Sequence, residues 1–353
     1  MTEPVMASEA ASPPGRSRLR AAGAVEIGPL ALPFSSLASE AARDAFVAEI
    51  RPPPAAIRAE SLALRAYYDV QNSRLAAWMR TLFAVEVEET EIGGVRVHRV
   101  SPAEPKAENR GRALICLHGG GFMWGAGSGA LVEAIPIAAE MGVDVFAVDY
   151  RLAPEHRYPA ASEDVAAVWR ALLERYAPSA LGVFGCSAGA ILTAQSTAWL
   201  LAHGLPAPGA IAMLGGGAGD LAGDSAWLGP ALTGEDPPPG GPMGVAAIPY
   251  FAGAAWDDPC LSPADHPDVL ARFPPTLLIA GGRDFAASSV TDLHLRLDAA
   301  GVDARLFLFD GLWHAFHIFP HLPESRRVYQ LIAAFFDRAL APGTPLSEGQ
   351  PWK

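Results

Sequence analysis

Two kinds of hydrophobic spacing alternate along the chain and divide it. In SEAARDAFVAEI (39–50) and AIRAESLALRAYYDVQNSRLAAWMRTLF (56–83) apolar residues recur at helical intervals, with the breakers Pro52, Pro53 and Pro54 between them. From residue 85 the period falls to two, as VEVEETEI and VRVHRV alternate and meet at Gly93 and Gly94, the pattern of a hairpin. Short continuous apolar runs follow: ALICL (113–117), VDVFAV (143–148), LGVF (181–184), AIAML (210–214), TLLIA (276–280) and RLFLF (305–309). Helical spacing returns between most of them, notably at 162–177, 188–204, 288–301 and 324–340. This alternation predicts an α/β fold, a mostly parallel central sheet covered by helices on both faces.

The alternation is interrupted once. Residues from about 215 to 256 are too many for a plain connection, and an insertion there is expected to act as a lid or binding wall, mobile in its Pro- and Gly-rich part from Glu235 to Gly244. The expected organisation is a poorly ordered N-terminus over 1–30, a helical cap segment over 31–84, a catalytic domain over 85–342 carrying that insertion, and a frayed tail over 343–353.

Composition narrows the function. The chain has 353 residues, half of them apolar, enough for one large buried core. Its 38 acidic against 26 basic residues leave a net charge of −12 and no basic stripe, which argues against a nucleic-acid partner. Cys116, Cys186 and Cys260 are far apart and read as small core residues, not as a disulfide framework or a zinc site. No secretory signal and no membrane span are evident, so a cytoplasmic protein is expected.

In open parallel sheets, sites form beyond the carboxyl ends of the strands. Here the ends carry His118-Gly119-Gly120-Gly121-Phe122, then Gly185-Cys186-Ser187-Ala188-Gly189, then Gly281-Gly282-Arg283-Asp284, then Asp310-Gly311-Leu312-Trp313-His314. A serine between two glycines at a strand-to-helix turn fits a nucleophile elbow, because the crossing backbones leave no room for flanking side chains. Ser187 needs a base and the base an orienting carboxylate, roles that fall to His314 and Asp284. The backbone N–H groups of Gly120, Gly121 and Ala188 are the expected oxyanion donors.

These motifs together resemble the hormone-sensitive lipase family of α/β-hydrolases, its bacterial esterases in particular. The resemblance covers roughly 86–340 and rests on HGGGF (118–122), DYRLAPEHRYPAA (149–161), GCSAG (185–189), PPTLLIAGGRD (274–284) and HAF (314–316). It implies the α/β-hydrolase fold with a helical cap and ester hydrolysis with no metal and no organic cofactor. It also implies a small-molecule ester substrate with a short or medium acyl, aryl or lactone group, and often a homodimer. Carried over by position, Ser187, Asp284 and His314 match the triad, and Gly120, Gly121 and Ala188 the oxyanion hole. Cys186 and Ala190 depart from the family's usual Asp and Gly, and FAASS after Asp284 lacks its further acidic residues.

Other readings compete at several positions. Asp310 is a rival to Asp284 but lies on the same loop as His314, so Asp284 is preferred. His314 and His317 could form a metal pair, for which further ligands are missing, and His317 is expected at the wall of the site. GGGAGD (215–220) lacks a full dinucleotide fingerprint. Phe122 and Trp124, beside the glycine run, are expected to line the substrate pocket, while Tyr67, Tyr68, Trp78 and Phe83 either cover the same cavity or pack the cap on the sheet. Arg151, Glu155, His156 and Arg157 are expected to pair with one another or with backbone. A catalytically silent ligand receptor on the same fold, resembling the plant gibberellin receptors, is the alternative function. Such a receptor lacks the catalytic histidine, which is present here as His314.

Overall fold

A computed structural model describes residues 17–20, 23–28, 30–50, 52–58, 60–235, 241 and 244–342. Most of the N-terminus over 1–30, the tail over 343–353 and residues 236–240, 242 and 243 of the Pro- and Gly-rich stretch lie outside them. The chain forms two units, 1–35 and 36–353. In the first, β1 (Arg18–Leu19) pairs antiparallel with β2 (Val25–Glu26).

The second unit opens with helices. Ser39 caps α1 (Glu40–Glu49) by accepting from Ala42 N, the prolines interrupt, and a single turn α2 (Ala55–Arg58) precedes α3 (Ser61–Leu82). The helically spaced segment 56–83 is thus broken before Ser61. The hairpin follows as β3 (Val85–Ile92) and β4 (Val95–Pro102), its turn made at Gly93 and Gly94, both at positive φ.

Next come β5 (Ala113–Leu117), α4 (Ser128–Met141), β6 (Asp144–Val148), α5 (Ala160–Leu172), β7 (Leu181–Cys186), α6 (Ala188–Ala202) and β8 (Ala210–Leu214). The insertion carries α7 (Asp224–Leu232) and is followed by the short α8 (Pro267–Leu270). Then β9 (Thr276–Gly281), α9 (Ala287–Ala299), β10 (Ala304–Phe309) and α10 (Pro323–Ala339) complete the fold.

The eight strands order as β10-β9-β8-β7-β5-β6-β4-β3, with β6 through β10 parallel and β4 and β3 antiparallel at one edge. Every residue of β5, β7, β8 and β9 is buried, which is why these strands read as unbroken apolar runs. Successive side chains serve opposite faces. A Cβ at Gly182 would stand 2.5 Å from the Phe336 ring of α10, whereas Val183 joins the core cluster with Trp169 of α5. This crossing order sets the carboxyl ends of β5, β7, β8, β9 and β10 side by side along one edge of the sheet.

Candidate active site

Backbone geometry at the end of β7 is unusual. Ser187 has φ 56° and ψ −120°, a region that disfavours any side chain, and it stands as the N-cap of α6. The turn is possible because its neighbours are small. A Cβ at Gly189 would meet Leu117 O at 1.8 Å, and one at Gly185 would meet Gly189 O at 2.5 Å. Ser187 N–H donates to Leu214 O at 2.7 Å, pinning the tip to the end of β8. Its neighbours Cys186 and Ala188 are buried, and Ser187 is partly open.

The ends of β9 and β10 supply the second half. Gly282 N–H donates to Phe309 O and Arg283 N–H to Leu312 O, each at 2.8 Å, so the two loops are laced together. That lacing brings His314 Nδ1 to 2.9 Å from Asp284 Oδ1. Asp284 is 1% exposed and also accepts from Ala286 N–H at 2.8 Å, which fixes the carboxylate toward the ring. Of the two candidate acids, Asp284 is the one that meets the imidazole. Phe285 covers His314, ring centroids 4.3 Å apart.

Gly215 and Gly216 bridge the halves: a Cβ on Gly215 would crowd Asp284 Oδ2 at 2.9 Å and His314 Nδ1 at 3.2 Å, and one on Gly216 would crowd Ser187 O at 2.7 Å. Ser187, Asp284 and His314 therefore converge on two adjacent glycines after β8. Among the described residues no hydrogen bond joins Ser187 Oγ to the imidazole.

The glycine run after β5 makes the wall opposite. Gly120 and Gly121 have φ 120° and 58°, and Gly120 O accepts from the N–H of Met123 and of Trp124. Below it, His118 stacks on Tyr150 at 4.2 Å, and Tyr150 OH donates to His118 O at 2.6 Å. Burial holds His118 below its ordinary pKa, so it is a neutral support. Among the described residues, the N–H groups of Gly120, Gly121 and Ala188 donate no hydrogen bond.

Three aromatic expectations part company here. Trp124 lies over Gly121, to which a Cβ would come within 3.7 Å of its ring, and Tyr68 stacks on its far face. Phe122, expected in the pocket, is instead fully buried: its positive φ of 58° swings the ring inward, where it stacks on Tyr250 at 4.6 Å. Tyr67 stands edge-on to Tyr68, while Trp78 stacks on His321 and Phe83 meets Tyr329, both away from the glycine run.

His317 borders a small cavity that Cys186, Leu214, Gly215 and Asp284 also line. Burial first, and then the neighbouring His314, push it down to about 3, so it is neutral. Glu155, expected to pair locally, binds Arg65 of α3. Arg151 joins Asp164 and Glu163. The FAASS stretch anchors the insertion: Ser225 Oγ donates to Phe285 O and accepts from Ser288 N–H, both at 2.8 Å, and Ala222 N–H donates to Ser289 Oγ at 2.9 Å.

A family profile described as alpha/beta hydrolase fold matches residues 114–318. The chain is 32% identical over 256 residues to a putative acetyl-hydrolase, LipR, of Mycobacterium tuberculosis, covering 71% of this chain and 80% of that one. An acetyl-hydrolase of Streptomyces hygroscopicus is 31% identical over 239 residues, 67% and 79% of the two chains. Among solved structures, an esterase of the bacterial hormone-sensitive lipase family aligns over 86% of this chain and all of its own, at 26% identity and a TM-score of 0.73. The chain belongs to the hormone-sensitive lipase family of α/β-hydrolases. As a member of that family it is a hydrolase of the esterase kind. The solved structure of an esterase, E25, is also similar, with a TM-score of 0.79 and 30% identity over 90% of this chain and 99% of the other. Among the described residues no helix is long and apolar enough to cross a membrane.

Glu133 is the residue of this region that the sequence reading passes over. It lies in α4, buried, and its Oε1 accepts from Gly119 N–H at 2.8 Å. An acidic residue deep inside the apolar run ALVEAIPIA, just after the glycine run, is the available signal.

Proposed function

We propose that the protein is a serine carboxylesterase acting on small esters with short- to medium-chain acyl, aryl or lactone groups through an acyl-enzyme. Ser187 Oγ adds to the ester carbonyl carbon while its proton passes to Nε2 of His314. Asp284 holds the Nδ1–H and stabilises the imidazolium that forms. The developing oxyanion accepts from the N–H groups of Gly120, Gly121 and Ala188, the last at the start of α6, where the helix dipole adds to it. Collapse of the tetrahedral intermediate expels the alcohol, which takes the proton from His314. Water then repeats the sequence and frees the acid.

The observation that carries this reading is the strained, partly open Ser187 beside a buried carboxylate–imidazole pair. Two relatives named acetyl-hydrolases support the short-acyl end of the range. The insertion over about 215–256 is read as a lid wall that meets the triad loop through α7, whose Gly229 packs on the Phe285 backbone.

A panel of p-nitrophenyl esters from acetate to decanoate, with aryl esters and lactones, tests the proposal against Ser187→Ala and His314→Ala. Each variant should lose on the order of a thousandfold or more in kcat while keeping the parent's melting profile. A serine-directed organophosphate should label Ser187. Near-parent turnover in Ser187→Ala, or an adduct found only elsewhere, would refute it.

A further inference from the structure

Acyl transfer on this fold needs two separate segments held in register, the glycine run after β5 and the elbow after β7. The ladder between those strands ends where Leu117 faces Gly185, one and two residues short of the segments themselves. Beyond it, a side chain takes over. Oε1 of Glu133 accepts from Gly119 N–H at 2.8 Å, and the backbone amide of Cys186 lies near enough to the same carboxyl to favour its charged form. Gly119 precedes Gly120 and Gly121, and Cys186 precedes Ser187. The approach is close: a Cβ built on Gly119 would lie 3.1 Å from Cys186 O, 3.4 Å from Glu133 Oε1 and 3.4 Å from Ser187 Cβ.

A carboxyl within the buried stretch of so apolar a helix as α4, where eleven of the fourteen residues are buried, is costly to bury without partners. Its hydrogen-bond partner here is the Gly119 amide, which lies beyond the end of β5, with the backbone amide of Cys186 close by. We propose that Glu133 is a positioning residue for the hydrolysis, the peg that fixes the oxyanion donors at a set distance from the Ser187 hydroxyl. This role rests on the function proposed above.

The charge state agrees with such a role. Burial raises Glu133 to about 8, against the pull of the Gly119 and Cys186 amides. Facing it are Cys116 from β5, Tyr150 from the loop after β6 and Cys186 from β7, all pushed upward, by burial first. His118, next to Gly119, is pushed downward by its own burial. Glu133 is therefore the member of this cluster that changes charge between about pH 6 and pH 9.5.

The contact can be read without catalysis. The sequence holds two His-Gly pairs, His118-Gly119 and His203-Gly204, so histidine labelled with 13C at the carbonyl and glycine labelled with 15N yield two His-Gly correlations. The Gly119 resonance should step once, centred near pH 8, in the parent and stay level in Glu133→Gln, with Gly204 level in both. A Gly119 resonance without that step, or one that keeps it in Glu133→Gln, overturns the proposal.

Kinetics then test the positioning. Glu133→Gln retains an acceptor for Gly119 and should keep kcat within about threefold. Glu133→Leu should lose roughly thirtyfold in kcat with KM within about threefold, and affinity for an aryl boronic acid should fall in parallel, since its tetrahedral adduct uses the same donors. A folded Glu133→Leu with the parent's kcat and boronate affinity overturns the proposal, and if that variant fails to fold the resonance test still decides. A parent inactive on every ester yet showing the Gly119 step would overturn the proposed activity and the catalytic half of this inference, leaving the contact standing.

Discussion

Tyr68 of α3 lies flat on Trp124, ring centroids 4.5 Å apart and planes 8° from parallel. Trp124 in turn covers Gly121, so the cap helix and the glycine run share one aromatic wall. On the function proposed above, Trp124→Ala opens that wall beside the acyl chain of an ester held at Ser187. Preference along the ester panel should move toward longer or bulkier acyl groups by roughly tenfold in relative kcat/KM. An unchanged chain-length profile would place Trp124 outside the pocket.

Arg65 fastens the same helix to the domain. Its guanidinium meets both carboxylate oxygens of Glu155 at 2.8 Å, and it donates to Met123 O at 2.7 Å and to Ala153 O. The ion pair is half exposed on the glutamate side and contributes little; the carbonyl contacts matter more. Arg65→Ala should cost about 1–2 kcal/mol, seen as a lower Tm and as faster proteolysis within α3. Arg65→Lys should recover only part of this, because an ammonium cannot make the fork.

Stability on the acid side should depend on His317. Its folded pKa of about 3 lies below its ordinary 6.5. The unfolded chain binds the proton first as pH falls, so the stability that neutral His317 contributes is whole above about pH 6.5 and is lost progressively toward pH 3. His317→Gln should flatten the fall of Tm between those limits. Parallel curves for parent and variant would count against this.

Burial raises the Cys186 thiol, and the charge of Glu133, whose carboxyl holds Gly119, raises it further. It has no chemical role in the proposed reaction, so Cys186→Ser should keep substantial esterase activity. Cys186→Asp would set a second buried acid beside Glu133, and two such groups cannot both ionise cheaply. A loss of about 1–3 kcal/mol in thermal or urea melts at neutral pH is expected. Adding Glu133→Gln to Cys186→Asp should return part of that loss, and a strictly additive pair would contradict the electrostatic coupling of the two positions.

Much of this architecture is legible in the sequence because of burial. β5, β7, β8 and β9 are covered on both faces, so they appear as short unbroken apolar runs, and three chemically distinct parts of the site stand directly after such runs. The helix α4 is not legible in the same way. Eleven of its fourteen positions are buried, leaving no polar face to impose a 3.6-residue period, and Pro136 lies inside it. Glu133 is hidden with it. The burial of Phe122 is illegible for a different reason: closeness in sequence to Gly120 and Gly121 says nothing of side-chain direction, which its positive φ sets. Arg65 and Glu155 are ninety residues apart, and no local pattern announces such a pair.

Ser187 at φ 56° and ψ −120° has one more consequence. A conformation of this kind costs a residue with a side chain on the order of 1–3 kcal/mol, and glycine adopts it freely. Ser187→Gly should therefore melt above the parent while hydrolysing nothing, and a melt at or below the parent's would show that the turn is unstrained. Inheritance follows the same arithmetic: at this position the fold alone favours glycine, so the serine persists in a lineage only while selection for its chemistry outweighs selection for a sturdier protein.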